Sequence, residues 1–145
     1  MYKLLLNIHS ILAFLALGTL LANVLYAGIA LIKDRSFTES SRKFALLGLI
    51  FCHIQLFVGF ILFFKSPYYL MLQEGMKSAM QDSMIRKMAI EHPFTNMLAI
   101  ILITIGHSTY KKMSDDKSKF KKIFVFYLLG LLFLMSRIPY AQWLG

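Results

Sequence analysis

Four histidines and one arginine interrupt apolar stretches of this sequence, and these are the residues best suited to chemistry. They are His9, His53, His92, His107 and Arg137. Imidazole binds metals and exchanges protons near neutral pH, and ionisable groups within a membrane are costly enough to indicate function. No nucleophile with an adjacent base and no dense carboxylate cluster is visible in the sequence. The pattern therefore favours a bound redox centre over a stand-alone enzyme, although it does not decide between them.

The composition is that of a membrane protein. Of the 145 residues, 58% are hydrophobic and 16% are charged, and the mean hydropathy is +0.64. A soluble domain of this size could not cover so much apolar surface. The net charge of +9 could suggest nucleic-acid binding, but in this composition it indicates loops held against an anionic membrane surface. We therefore expect the lipid bilayer as a partner and no nucleic acid.

Four segments are long and apolar enough to cross a bilayer, which takes about 20 residues each. They cover residues of about 4–32, 44–64, 93–109 and 123–140. Backbone groups cannot remain unpaired in lipid, so we predict an all-α protein, an integral membrane four-helix bundle that forms one transmembrane domain over residues 1–145. Pro93 suits the first turn of a helix, so the third helix is predicted to begin at His92.

The connection from about 65 to 91 is predicted to contain an amphipathic helix. Four methionines recur there every four residues, while charged and polar side chains occupy the other faces; they are Met76, Met80, Met84 and Met88. A methionine stripe at this spacing is typical of packing. Thioethers are also soft ligands for Cu(I), so copper binding is the alternative interpretation.

The basic residues predict the orientation in the membrane. Four of them lie in or beside the first connection (Lys33, Arg35, Arg42 and Lys43), and six lysines lie between Lys111 and Lys122. The positive-inside rule places these two loops in the cytoplasm, and both termini and the second loop outside. The predicted location is a bacterial inner (cytoplasmic) membrane, crossed several times.

Depth in the membrane brings three of these groups together. At 1.5 Å per residue, His9 lies roughly 8 Å below the outer boundary, His92 within about 2 Å, Arg137 at about 3 to 5 Å and His53 near 16 Å. Imidazoles on facing helices can hold a haem iron from both sides, and Arg137 could pair with a propionate. His9 with His92 is the best match in depth, and His9 with His53 is the alternative. Each histidine could instead be an interhelical hydrogen-bond partner.

Five short motifs together resemble those of small four-helix cytochrome b-like membrane proteins of Bacteroidota. The motifs are His9-Ser10, His53-Ile54-Gln55 with Gly59, Glu91-His92, Ile105-Gly106 before a Lys-Lys pair, and Arg137-Ile138-Pro139. The resemblance covers nearly the whole chain. It implies b-type haem bound by histidines in the bundle, with His9, His53, His92 and Arg137 as the matching positions. His107 lies outside the pattern.

The sequence thus predicts a membrane protein that binds haem b and transfers electrons in a respiratory or redox chain. A quinone or a larger respiratory membrane complex is the expected exchange partner. The alternative is a cofactor-free accessory or assembly subunit that docks on such a complex through its helix faces.

Overall fold

The computed structural model describes residues 1–144, and their regular structure is entirely helical. The elements in chain order are α1 (Tyr2–Ile32), α2 (Glu39–Phe64), α3 (Pro67–Glu74), α4 (Met76–Gln81), α5 (Ser83–Arg86), a π-helical turn (Lys87–Glu91), α6 (His92–Tyr110), α7 (Asp116–Ser136) and α8 (Tyr140–Leu144). The all-α prediction is confirmed.

The four longest helices pack side by side around one core. α1 lies against α2 and α7, and α6 lies against the same two helices. α1 and α6 are therefore diagonal to each other, and groups that project from both toward the centre can meet. The largest fully buried side chains fill this centre: Leu20, Asn23, Cys52, Ile103, Phe120 and Tyr127.

Glycines allow α6 and α7 to approach closely. A methyl group at Gly106 of α6 would collide with Phe126 of α7, and one at Gly130 of α7 would collide with Ile103 of α6. Small residues at such crossings let backbones come together where van der Waals packing supplies much of the association energy. The contact between α6 and α7 is consequently the one least able to accept added volume.

Three helical stretches are long and apolar enough to cross a membrane: Tyr2–Ile32, Glu39–Phe64 and Ser83–Tyr110. Large apolar side chains cover their outward faces, and Phe57 and Phe94 remain 67% and 57% exposed. Such continuous apolar surface suggests a lipid environment. α7 does not meet the same criterion, because lysines occupy its first two turns and shorten its apolar part.

The fourth predicted segment, 123–140, ends differently in the structure. α7 stops at Ser136, and α8 begins only at Tyr140. Pro139 disfavours helical backbone at the residue before it, which accounts for the break. α8 then folds back over α1, where Trp143 stacks on Phe14 with ring centroids 4.4 Å apart.

The connection between α2 and α6 is not a single amphipathic helix. Gly75 has extended backbone between α3 and α4, and Asp82 has extended backbone at the end of α4. The Asp82 carboxylate accepts hydrogen bonds from the Met84 and Ile85 N–H groups and so caps the N-terminus of a new helix, α5. The predicted methionine stripe is therefore divided among α4, α5 and the π-helical turn.

α6 begins at His92 as predicted, but its backbone continues from the π-helical turn. Pro93 has no N–H, so the Ala89 carbonyl cannot receive the usual bond from four residues ahead. A π-helical turn widens the backbone at such a point and is frequent at functional sites. Here it lies directly before a candidate ligand.

The first and third connections lie at the same end of the molecule, called the basic end below. Phe37 packs on Tyr110 and Phe120, with ring centroids 5.2 and 5.0 Å apart. Asp115 caps α7 by accepting the Ser118 N–H at 2.8 Å, and this bond lowers the pKa of the Asp115 carboxyl. The opposite end, called the histidine end, holds His9 and His92.

Candidate histidine site

His9 and His92 meet at the centre of the histidine end. His9 projects from α1 and His92 from the diagonally opposite α6, and their ring centroids are 6.4 Å apart with planes inclined at 76°. Eighty-three positions of sequence separate them. The depth argument from sequence paired these two residues, and the structure places them next to each other.

Both ring nitrogens of His92 have partners. Its Nδ1–H donates to the Arg137 carbonyl at 3.0 Å, and its Nε2 accepts from the Asn96 amide at 3.1 Å. The first bond depends on the end of α7 at Ser136, which turns the Arg137 carbonyl toward α6. A backbone carbonyl on Nδ1 is the usual partner of a metal-ligating histidine, since it fixes the tautomer with Nε2 free of a proton.

His9 is held by the neighbouring helix α2. The Gln55 amide donates to the His9 carbonyl at 3.0 Å and to the His9 Nε2 at 3.3 Å. Nε2 is therefore unprotonated, and the neutral ring carries its proton on Nδ1. Gly59 makes room for the ring, because a Cβ there would lie only 3.2 Å from the His9 Cε1. Gln55 thus joins α2 to α1 through two hydrogen bonds.

Three polar atoms in this cluster are buried without a protein partner. They are the His9 Nδ1, the Gln55 Oε1 and the Asn96 Oδ1. Buried polar groups usually find partners, because an unpaired one costs about 1–3 kcal/mol. The cluster therefore has one donor and two acceptors free for a further partner, such as a water molecule or a ligand.

An ion-pair network surrounds the start of α6. Glu91 receives the Arg86 Nε at 2.9 Å on one carboxylate oxygen and lies 3.3 Å from the Arg137 Nε on the other. It therefore holds the end of α7 against the first turn of α6, where the Arg137 carbonyl meets His92. The Arg137 side chain is half exposed, with room for a further anionic partner.

His53 lies away from this cluster. It projects from α2 with its Nδ1–H donating to the Leu49 carbonyl at 2.9 Å, and its Nε2 lies 3.4 Å from the Thr104 hydroxyl of α6. Two residues further along α2, Gln55 points instead to His9. The structure does not bring His53 to His9, so the alternative ligand pair has no geometric support.

His107 belongs to a separate buried network nearer the basic end. The Tyr127 hydroxyl donates to the Ala45 carbonyl at 2.8 Å, so the His107 Nδ1–H is the donor in the 3.1 Å bond to Tyr127. This chain of hydrogen bonds links α2, α6 and α7. The sequence analysis did not predict this network, because no local signal pairs His107 with Tyr127.

We expect Tyr127→Phe to destabilise the protein by about 1–2 kcal/mol, because it removes a second hydrogen bond from the Ala45 carbonyl and leaves the buried His107 Nδ1–H unpaired. Unfolding in detergent with increasing sodium dodecyl sulfate measures the change. Tyr140→Phe removes an exposed hydroxyl from the Met135 carbonyl and should cost less than about 0.5 kcal/mol. Equal effects of the two variants would contradict the importance of the buried network.

The histidine pair has the donor chemistry for a haem iron. A metal about 2 Å from one nitrogen of each of two imidazoles places the ring centroids about 6 Å apart, and 6.4 Å is observed. Residues 1–144 contain no group of three His, Cys, Asp or Glu side chains placed to hold a metal. A haem iron needs only two protein ligands, because the porphyrin supplies the others. The separation of the two rings thus matches two ligands of one iron, while the Gln55 and Asn96 amides occupy both Nε2 atoms in the structure.

Comparisons with protein-family models, curated proteins and solved structures find no match.

Proposed function

We propose that this protein binds b-type haem between His9 and His92 and carries electrons in a membrane. The observation that carries the proposal is the meeting of two imidazoles from diagonal helices, with ring centroids 6.4 Å apart, at the histidine end of the bundle. The resemblance noted from the sequence motifs points to the same cofactor. The role is that of an electron carrier or subunit and not of a stand-alone catalyst.

The proposed placement has four membrane crossings. α7 would be the fourth, with its first-turn lysines reaching the headgroups along their apolar stems. The basic end would face the cytoplasm of a bacterial inner membrane, and both termini and α3–α5 would lie outside. The histidine site would then sit in the outer half of the bilayer.

The chain's own residues would hold and orient the cofactor. The Arg137 carbonyl fixes the tautomer of His92, which leaves Nε2 without a proton, and Nε2 would be the atom that binds the iron. Gln55 and Gly59 fix the ring of His9. The Arg137 guanidinium is available to pair with a propionate. When bound, haem supplies a one-electron couple that a quinone or a partner complex can reduce and oxidise.

A cofactor-free accessory or assembly subunit is the second candidate. The observation in its favour is that Asn96 and Gln55 already donate to the two Nε2 atoms. Both amides would have to turn away before the imidazoles could bind iron. In this alternative the same polar cluster joins α1, α2 and α6, and the exposed apolar faces dock on a larger respiratory complex.

Haem content separates the two candidates. The protein is purified in mild detergent, and a pyridine haemochrome assay and a reduced-minus-oxidised visible spectrum are recorded on the same sample. We expect the spectrum of haem b, with a ratio of haem to protein near one. A folded but colourless preparation from haem-replete cells would move the assignment to the accessory subunit.

A further inference from the structure

A cavity of about 330 Å³ opens beside α7 at the basic end. It lies at the opposite end of the molecule from His9 and His92 and takes no part in the proposed electron transfer. Six residues line it: Met113, Ser118, Lys121, Lys122, Val125 and Phe126. The two lysine ammonium groups and the Ser118 hydroxyl lie nearer the start of α7. The apolar side chains of Val125 and Phe126 lie one turn further along the helix.

The lysines of α7 fall into two groups. Lys117 lies 3.5 Å from Asp34, and Lys119 lies 3.3 Å from Asp116, so each has a carboxylate partner. Lys121 and Lys122 have no carboxylate within 4 Å among residues 1–144. The positive charge that remains uncompensated on α7 is therefore the charge that lines this cavity.

The floor of the cavity is apolar and firmly placed. Phe126 packs directly over Gly106 of α6, and the Lys122 Nζ lies 5.8 Å from the centre of its ring. Val125 beside it is 39% exposed and faces outward from the bundle. A free anion would gain nothing from contact with these two apolar side chains, whereas an acyl chain would pack against them and bury them.

We propose that this cavity binds an anionic phospholipid. Its phosphate would lie between Lys121 and Lys122 near the Ser118 hydroxyl, and its glycerol and acyl carbons would lie along Val125 and Phe126. Basic pockets at the ends of membrane helices recognise lipid headgroups through this combination of charge and apolar contact. The lipid would hold the start of α7, whose lysines shorten its apolar part, at the membrane surface.

Lipid binding to the detergent-solubilised, full-length protein tests the proposal. Native mass spectrometry measures the occupancy of phosphatidylglycerol and of phosphatidylcholine with the same acyl chains, for the wild type and for K121Q/K122Q. We expect the double variant to bind phosphatidylglycerol about 30-fold more weakly, the loss expected for two lysines at a membrane surface. Phosphatidylcholine binding should change little.

The control variant K33Q/K117Q removes the same charge from the same end of the protein but not from the cavity. It should keep most of the affinity for phosphatidylglycerol, and K121R/K122R should keep it as well. An equal loss in K33Q/K117Q would overturn the proposal, since the effect would then be one of net charge. Equal binding of the two lipids by the wild type, or competition by millimolar inorganic phosphate, would also overturn it.

Discussion

His9→Ala and His92→Ala are each expected to abolish haem absorbance in the purified protein. Each variant removes one of the two imidazoles that face each other across the diagonal of the bundle. Loss of a group that merely supports a metal ligand costs about 10–100-fold in affinity, so loss of a ligand itself should cost more. The measurement is the Soret absorbance per mole of folded protein, with folding followed by circular dichroism.

His53→Ala is the matched control for these variants. It makes the same substitution in another of the four long helices, α2, where the native ring contacts Leu49 and Thr104 instead of His9. The haem absorbance of this variant should stay within a small margin of the wild type. Loss of haem in His53→Ala together with retention in His92→Ala would show that the ligand pair is the other one considered, His9 with His53.

Gly106→Ala is expected to have the largest effect on stability, about 1–3 kcal/mol of destabilisation. The added methyl group would collide with the Phe126 Cβ, which cannot move aside by changing rotamer because it is bonded to the backbone of α7. The two helices would have to separate, and the close packing along their whole contact would loosen. Unfolding in detergent with sodium dodecyl sulfate gives the free-energy difference.

Gly18→Ala provides the control, since a Cβ at Gly18 of α1 meets nothing within 4 Å. Alanine is the better helix former by about 1 kcal/mol, so this variant should be unchanged or slightly more stable. A Gly106→Ala protein as stable as Gly18→Ala would mean that α6 and α7 are not in close contact.

The pairing of His9 with His92 could be predicted from the sequence. The rise per residue of a helix gives the depth of each residue, and the basic loops predict which ends of the helices lie on the same side. Both are read from short stretches of sequence. Residues two apart on a helix also point in very different directions, and His53 and Gln55 accordingly contact different helices, α6 and α1. Both inferences use only the regular geometry of a helix. Regular geometry was reliable here because the long helices are uninterrupted over the residues concerned.

The partners of the histidines could not be predicted in the same way. The bond from His92 to the Arg137 carbonyl depends on where α7 ends, and the apolar pattern continued past that point to residue 140. Asn96 follows His92 by four residues and so lies on the same face of α6, but its bond to that ring depends on a rotamer that the sequence does not give. The end of a helix and the rotamer of a side chain depend on tertiary contacts, and the hydrophobic periodicity of the sequence gives no information about these contacts.

The second connection shows the same limit. A four-residue methionine repeat predicted one amphipathic helix, whereas Gly75 and Asp82 divide the segment into short helices. Extended backbone at Gly75 and the capping carboxylate of Asp82 outweigh the periodic pattern locally. The methionines then lie on separate elements, which leaves no continuous stripe to act as one site.

Electron paramagnetic resonance of the oxidised, purified protein tests the central claim most directly. Two imidazoles on one iron give a six-coordinate, low-spin ferric haem, and we expect that signal to account for all the haem present. The same signal should be absent from His9→Ala and His92→Ala. A high-spin, five-coordinate signal in the wild type, or folded protein that takes up no haem, would contradict the account.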